Sequence, residues 1–223
     1  MNINTITYPE YLKDIPKKGR HIMAHQSRGE ILVYMAFNDA IADFAIANQK
    51  LGGDAFLFHR MSWIKTSFLW MMYRSSWASK ENQNRILAIS LQKNDFEKIL
   101  EQAVHSSYQE QIYKTPENWK AELIRKKVRL QWDPDHDPFS DKTERKAIQL
   151  GLKGKLLRQF ALEMIIKIED ITAFVKTQKE HLQAGGTAKL ILPKEKIFIP
   201  NKGELQKTID YECLLNTRLR NEN

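Results

Sequence analysis

At 223 residues, with 42% hydrophobic and 28% charged side chains, the chain has the balance of a globular domain and enough length to bury a substantial core. No apolar run approaches the ~20 residues needed to span a bilayer, which sets aside a helical membrane protein, and the hydrophobic content sets aside a disordered one. A formal net charge of +8 and a pI near 9.4 favour anionic partners such as nucleic acid, nucleotides or phosphorylated substrates.

MNINTITYPEYLKDIPKKGR opens the chain without a charged, then apolar, then small-residue leader, and Cys213 is the sole cysteine. Neither secretion nor an internal disulfide is expected, and a cytoplasmic location is. Residues 1–18 hold two prolines and no hydrophobic period, so they read as an arm leading into a single α+β domain over residues 19–186. Residues 187–223 read as a C-terminal extension with one β-like piece, KIFIP.

Gly19 releases the chain into RHIMAHQS, a strand, and the Arg28-Gly29 turn leads to a second, EILVYMAF. Asn38 or Asp39 is a natural N-cap for AIADFAIANQKL, whose Ile41, Phe44, Ala45 and Leu51 keep helical spacing until Gly52-Gly53 stops it. AFLFHRMSW reads as strand-like. From Phe56 to Trp77, seven of twenty-two residues are aromatic, and a helix is expected from Thr66 or Ser67 to Ala78. Trp63, Trp70 and Trp77 recur every seven residues, close to one helical face. Lys65, Thr66 and Ser67 stand beside the unpaired N–H groups of the first turn and Arg74 lies two turns beyond Ser67, the parts from which an anion site is made. An ordinary hydroxyl cap over a tryptophan core uses the same residues.

NRILAISL is a further strand, and Lys93 to Ser106 an amphipathic helix with Phe96, Ile99, Leu100 and Ala103 on one side. Thr115 caps a helix that Pro116 opens and Arg125 ends. VRLQWD alternates Val128, Leu130 and Trp132 against Arg129, Gln131 and Asp133; KAIQLGLKG turns Ile148, Leu150 and Leu152 inward and leaves Gln149 and Gly151 on the other face. WDPDHDPFSDKT between them is a loop. A short helix at Lys155–Phe160, a strand at Met164–Ile168 and a helix from Ile171 or Thr172 to Gln183 complete the domain. Strands and helices mix without βαβ alternation, so the expected class is α+β with largely antiparallel sheet and flanking helices.

Phosphate-loop, dinucleotide-binding, HExxH, paired CxxC and GxSxG signatures are all missing. Asp133, Asp135, His136 and Asp137 carry donors suited to a hard cation, but proline-flanked aspartates commonly shape turns, and no metal site is assigned. Of six histidines, His25 and His59 sit beside polar residues where a substrate-holding imidazole would serve, though a hydrogen-bonded structural role is the more ordinary explanation for each. Basic residues gather at Arg125, Lys126, Lys127 and Arg129, and again from Lys142 through Arg145 and Lys146 to Arg158. Pairing of VRLQWD with KAIQLGLKG would merge them into one positive rim for a nucleic-acid backbone, the alternative being a solvated surface.

WIKTSFLWMMYRSSWASK, with GRHIMA upstream and QWDPDHDP and AIQLGL downstream, resembles a family of bacterial and fungal proteins filed as domain of unknown function 4291, over most of Lys18 to Thr172. Family members tend to carry Gln at the position of His21 and Arg at that of Met23, which weighs against His21 as an essential group. The order strand, Arg-bearing strand, helix, aromatic segment is also similar to the front half of ADP-ribosyltransferase-type folds, in which a cleft holds NAD. That resemblance implies Arg20 or His21 near the nicotinamide ribose, Tyr34 in support, and Gln149 or Glu169 on a late strand.

The resulting expectation is a nucleotide-binding transferase, in its sharpest form one that transfers ADP-ribose from NAD to a nucleic-acid or other anionic acceptor. Arg20, Lys65, Ser67 and Arg74 would grip phosphates, His25, Tyr34 and Trp63 would help hold the cofactor, and Arg74, Gln149 and Glu169 would act in the chemistry. The alternative is a non-catalytic RNA- or DNA-binding module that uses the basic rim and aromatic stacking.

Overall fold

Alternation along β4 (Glu30–Phe37) divides the interior in two. Ile31, Val33 and Met35 enter one apolar core and Leu32 and Tyr34 the other; β6 (Arg85–Gln92) repeats the division with Leu87, Ile89 and Leu91 against Ile86 and Ala88. A strand with apolar residues on both faces must be covered on both, which is why EILVYMAF reads as one continuous hydrophobic run.

The computed structural model describes residues 3–212, so Cys213 and the end of the expected extension lie outside the described residues. Around β4 and β6 lie β5 (Ser62–Lys65), β7 (Ala103–His105), β8 (Val128–His136), β9 (Lys142–Leu152) and β10 (Ile165–Asp170), in the sheet order β10-β6-β4-β5-β9-β8-β7. Two-residue β2 (Gly19–Arg20) joins β9 in parallel and β7 joins β8 in parallel; the other pairings in this sheet are antiparallel. The class is α+β, as expected.

One face is covered by α2 (Asp39–Asn48), α4 (Lys93–Glu101) and α7 (Gly154–Gln159), which contribute Ala42, Phe96, Ile99 and Leu157 to its core. The other is covered by α1 (Tyr8–Asp14), α3 (Phe68–Ser75) and α8 (Thr172–Gly185), through Tyr11, Phe68, Met71, Met72 and Val175. Two short helices, α5 (Glu110–Tyr113) and α6 (Pro116–Arg125), lead from β7 into β8.

The segments read as an arm and an extension share these cores. β1 (Thr5–Thr7) pairs with β11 (Ile191–Pro193), and β3 (Ile22–His25) with β12 (Glu195–Phe198). Ile3 and Tyr11 are buried beside Leu190 and Leu192, while Leu205 on α9 (Gly203–Thr208), Ile209 and Tyr211 are buried in the other core. Packing has no break at residue 18 or 186, because the apolar positions on both sides bury one another.

Four expected elements differ. WDPDHDPFSDKT, expected as a loop, keeps only residues 137–141 outside the sheet, because β8 runs on to His136 and β9 starts at Lys142 with the two pairing across the turn. AFLFHRMSW forms a strand only from Ser62, since Phe56 turns its ring into the core against Phe58, at 5.0 Å between centroids, instead of alternating along an edge. The helix expected to reach Ser106 ends at Glu101, and Ala103–His105 becomes the sheet edge. Helix α3 stops at Ser75 because Ser76, Trp77 and Ala78 take left-handed φ values of 50°, 55° and 62°. Trp63 therefore lies on a strand, Trp70 on a helix and Trp77 past its end, where its indole N–H donates to the Pro138 carbonyl at 3.2 Å. Among the described residues no helix is long and apolar enough to cross a membrane.

Candidate functional site

Strand β5 is four residues long, and its pleat sends Ile64 into the core while Trp63 and Lys65 share the opposite face. Register sets their neighbours. Lys65 stands opposite Gln149, which stands opposite Gln131; Trp63 stands opposite Gly151, which stands opposite Arg129. Over this part of the sheet α3 leaves an open cleft of about 540 Å³, walled by Trp63, Lys65, Arg74, Gln131 and Gln149, with Arg60 and Met61 from the loop before β5.

Gly151 makes room for the floor of that cleft. A Cβ there would lie 2.5 Å from the Met61 sulfur and 2.9 Å from Cζ2 of Trp63, so the indole can cross the sheet at this point only over a residue with no side chain. Gln149 Nε2 donates to Gln131 Oε1 and to Asp133 Oδ2, each at 2.6 Å. Both amide hydrogens are thereby used within the protein, and Gln149 Oε1 remains as an acceptor toward a ligand.

Lys65 is only 7% exposed. Its ammonium donates to the Trp63 carbonyl at 3.2 Å and lies 5.3 Å from the centre of the Trp70 ring. Burial above all, and then the charge of Arg74, lower its pKa from 10.5 to about 7, with Asp133 pulling the other way. Near neutral pH a large share of the molecules therefore carry a neutral amine here, the form that can act as base or nucleophile. Burial likewise raises the Asp133 carboxyl above the ordinary aspartate range, against its Gln149 hydrogen bond and the Lys65 charge.

The N-terminus of α3 is not part of this opening. Its Phe68 N–H donates to Glu195 Oε1 at 2.6 Å, and Tyr11 donates to the other oxygen at 3.1 Å. Ser67 accepts from Trp70 N–H at 3.4 Å and donates to Asp135 Oδ1 at 3.1 Å; the other Asp135 oxygen takes Arg145 Nε and Nη2 at 3.0 and 2.7 Å. A helix N-terminus calls for a hydrogen-bond acceptor, and here an internal carboxyl group supplies it. Ser67 is thus a cap inside a buried polar network, a correction to its expected place in a phosphate grip.

Other expected site residues also lie elsewhere. Arg20 pairs with Asp210, Nε to Oδ2 at 2.9 Å, and lines a neighbouring cleft of about 500 Å³ with His105, Lys146 and Asp133. Gln131 walls both clefts. His25 holds the Lys194 carbonyl at 3.1 Å, fastening β12 to β3. Tyr34 is opposite Lys65 in register but fully buried, its ring edge-on to Phe68 at 5.7 Å, so it offers no stacking surface. Glu169 lies on the same transverse row, through Ala88, Tyr34 and Lys65, but three strands away, roughly 14 Å at the usual strand spacing. It faces Lys167 at 3.0 Å and a small pocket shared with His25.

The expected single basic rim is also corrected. β8 and β9 do pair, but as an antiparallel hairpin with Val128 opposite Leu152 and His136 opposite Lys142. Arg125, Lys126, Lys127 and Arg129 gather at one end with Lys153, and Lys142 lies at the other, roughly 26 Å away at about 3.3 Å per residue. Arg125 is tied to Glu122 at 2.7 Å, Arg129 to the Leu123 carbonyl at 2.6 Å, and Arg145 is buried on Asp135. Lys146 joins Arg20.

Asp133, Asp135 and Asp137 serve separate purposes, the last accepting from Phe139 N–H and Asp141 N–H in a turn. Arg60 and Met61 had no signal in the sequence because their segment reads as a strand, and Glu195 had none because it precedes a short β-like run in the tail. Gln131 and Asp133 were visible through their alternation with Leu130 and Trp132.

Among curated proteins none matches this chain. A family model described as Domain of unknown function (DUF4291) matches residues 21–198, a span that contains β3 through β12 and every wall of the Lys65 cleft, and the chain belongs to that family.

Proposed function

We propose that the protein is a nucleotide-using transferase whose ligand occupies the Lys65 cleft. The observation that carries this reading is the placing of a buried lysine in one cleft with Arg60, Arg74 and the Trp63 indole. Guanidinium groups suit phosphate oxygens through paired donors, and an indole face suits a base, worth about 1–3 kcal/mol per stacked base. Gln149 Oε1, its amide held by Gln131 and Asp133, accepts from a sugar hydroxyl. For NAD as the ligand, that oxygen is the group of this cleft that would face an oxocarbenium-like ribose as nicotinamide leaves, the late-strand position expected of Gln149 or Glu169.

An anionic acceptor has a route in the adjoining cleft, where Arg20 and Lys146 line the far side of Gln131. The same feature favours the second reading, a nucleic-acid-binding module that consumes no nucleotide.

A thermal-shift panel of NAD, ATP, other nucleotides and short RNAs tests the proposal. A nucleotide at 100 times its Kd stabilises the folded state by about 2.7 kcal/mol, a rise in Tm on the order of 5–10 °C for a chain of this size. Arg74→Ala should abolish the shift. Stabilisation by RNA alone, unaffected at Arg74, would favour the module instead.

A further inference from the structure

The Lys65 cleft brings three cations to one opening, yet they differ in kind. Arg60 and Arg74 are exposed, whereas Lys65 is 7% exposed and held between the Trp63 carbonyl and the Trp70 ring. A lysine used only to attract phosphate gains nothing from being withdrawn from water, because desolvation weakens its charge. An amine used as a nucleophile gains both its lone pair and a fixed direction. The Trp63 indole crosses Gly151 two residues from the amine on the same face of β5, where a base stacked on it would lie beside Lys65.

We propose that Lys65 is a covalent intermediate carrier of the transfer, accepting the nucleotidyl group of a nucleoside triphosphate that binds with its magnesium ion. The Nζ lone pair attacks the α-phosphorus, an N–P bond forms, the bond from the α-phosphorus to the bridging oxygen breaks, and pyrophosphate leaves with that electron pair. The proton shed by the nitrogen passes to water on the side of Asp133, the carboxylate whose charge acts on Lys65. In the second half a hydroxyl or phosphate oxygen of the acceptor attacks the same phosphorus, the N–P bond breaks, and the nitrogen leaves with that electron pair and a proton, equal to the one the acceptor sheds, as the free lysine. Arg60 and Arg74, the two exposed guanidinium groups of the cleft, hold the polyphosphate. This inference rests on the nucleotide reading of the cleft.

The test uses the full chain, ATP with magnesium, and the α,β-methylene analogue of ATP, which binds but cannot be cleaved between the α- and β-phosphorus. Wild type should gain one adenylyl mass with ATP and none with the analogue. The label should map to Lys65 by peptide mass spectrometry, be lost in mild acid and survive alkali, as a phosphoramidate does. Lys65→Arg keeps a cation but no nucleophilic amine; it should still show a Tm rise with the analogue and take up no label. Binding of the analogue by wild type without any label from ATP, GTP, CTP or UTP overturns the covalent step and leaves the nucleotide reading standing. Absence of binding by any triphosphate overturns the inference, and overturns the nucleotide reading as well when NAD and the other nucleotides of the panel also leave Tm unchanged; a label retained in Lys65→Arg overturns the assignment to Lys65.

Discussion

Glu195 on β12 accepts from the backbone N–H of Phe68 on α3 at 2.6 Å, across 127 residues of sequence. That contact closes the N-terminus of the aromatic helix with a carboxylate from the far end of the described chain. With that terminus closed, the strand before it carries the open cleft and Lys65.

Glu195 and Lys65 shape the pH dependence of stability in opposite senses. Burial pushes Glu195 up to about 8, against the Phe68 and Tyr11 hydrogen bonds, so the native state keeps a proton that the unfolded chain releases above its ordinary value of 4.5. Its contribution is full below that value and is lost as pH rises to about 8. Lys65, lowered from 10.5 to about 7, contributes in full above its ordinary value and loses that contribution as pH falls toward 7. Together they predict a dip in unfolding free energy near pH 7 to 8, each limb sloping by up to about 1.4 kcal/mol per pH unit. Urea unfolding at about pH 5.5, 7.5 and 9.5 checks it: Glu195→Gln should flatten the acid limb and Lys65→Met the alkaline one.

Lys65→Met also separates a working lysine from a structural one. Replacing a desolvated amine by an apolar side chain of similar length should leave stability unchanged or raise it by ~1 kcal/mol at neutral pH, while nucleotide affinity falls at least about tenfold. Denaturant unfolding and titration calorimetry read the two effects. A loss of stability well beyond ~1 kcal/mol with affinity intact would assign Lys65 to the core.

Tyr34→Phe should not disturb ligand binding. The Tyr34 hydroxyl is buried without a hydrogen-bond partner, so its removal relieves an unmet polar group and should be neutral or stabilising by up to about 1 kcal/mol. A drop in nucleotide affinity in this variant would return Tyr34 to the site.

Gly151→Ala tests the floor of the cleft. The added methyl group meets Met61 and Trp63 at separations of 2.5 and 2.9 Å, so both must move. Overpacking of this kind costs about 1–3 kcal/mol, and displacement of the indole should weaken nucleotide binding on the order of tenfold. Calorimetric titration against wild type decides it; unchanged affinity would mean that the base does not stack on Trp63.

Arg145→Met should be among the most damaging changes outside the cleft. Arg145 is 3% exposed and its loss leaves Asp135, with 0% exposure, uncompensated, for a cost of about 3–5 kcal/mol in urea unfolding. Its Nη1 also holds the Pro16 carbonyl at 3.0 Å, so protease cleavage near residue 16 should increase.

The unbroken apolar run of EILVYMAF and the period-two alternation in VRLQWD and KAIQLGLKG, together with the caps at Asn38, Ser67 and Thr115, carried the main strands and helices, because face and cap are chosen by residues a few positions apart. The same periodicity placed Gln149 with Gly151 and Gln131 with Asp133 before any neighbour was known. Which strands lie side by side depends on contacts between distant segments, and local pattern does not encode them. Only the folded chain put Lys65 opposite Gln149, sent the basic run at Arg125–Arg129 to the end of the hairpin away from Lys142, and turned Arg20 toward Asp210. Only the folded chain, too, brought Glu195 to the helix that the sequence had marked for an outside anion, since a buried N-terminus takes whichever acceptor the surrounding packing delivers.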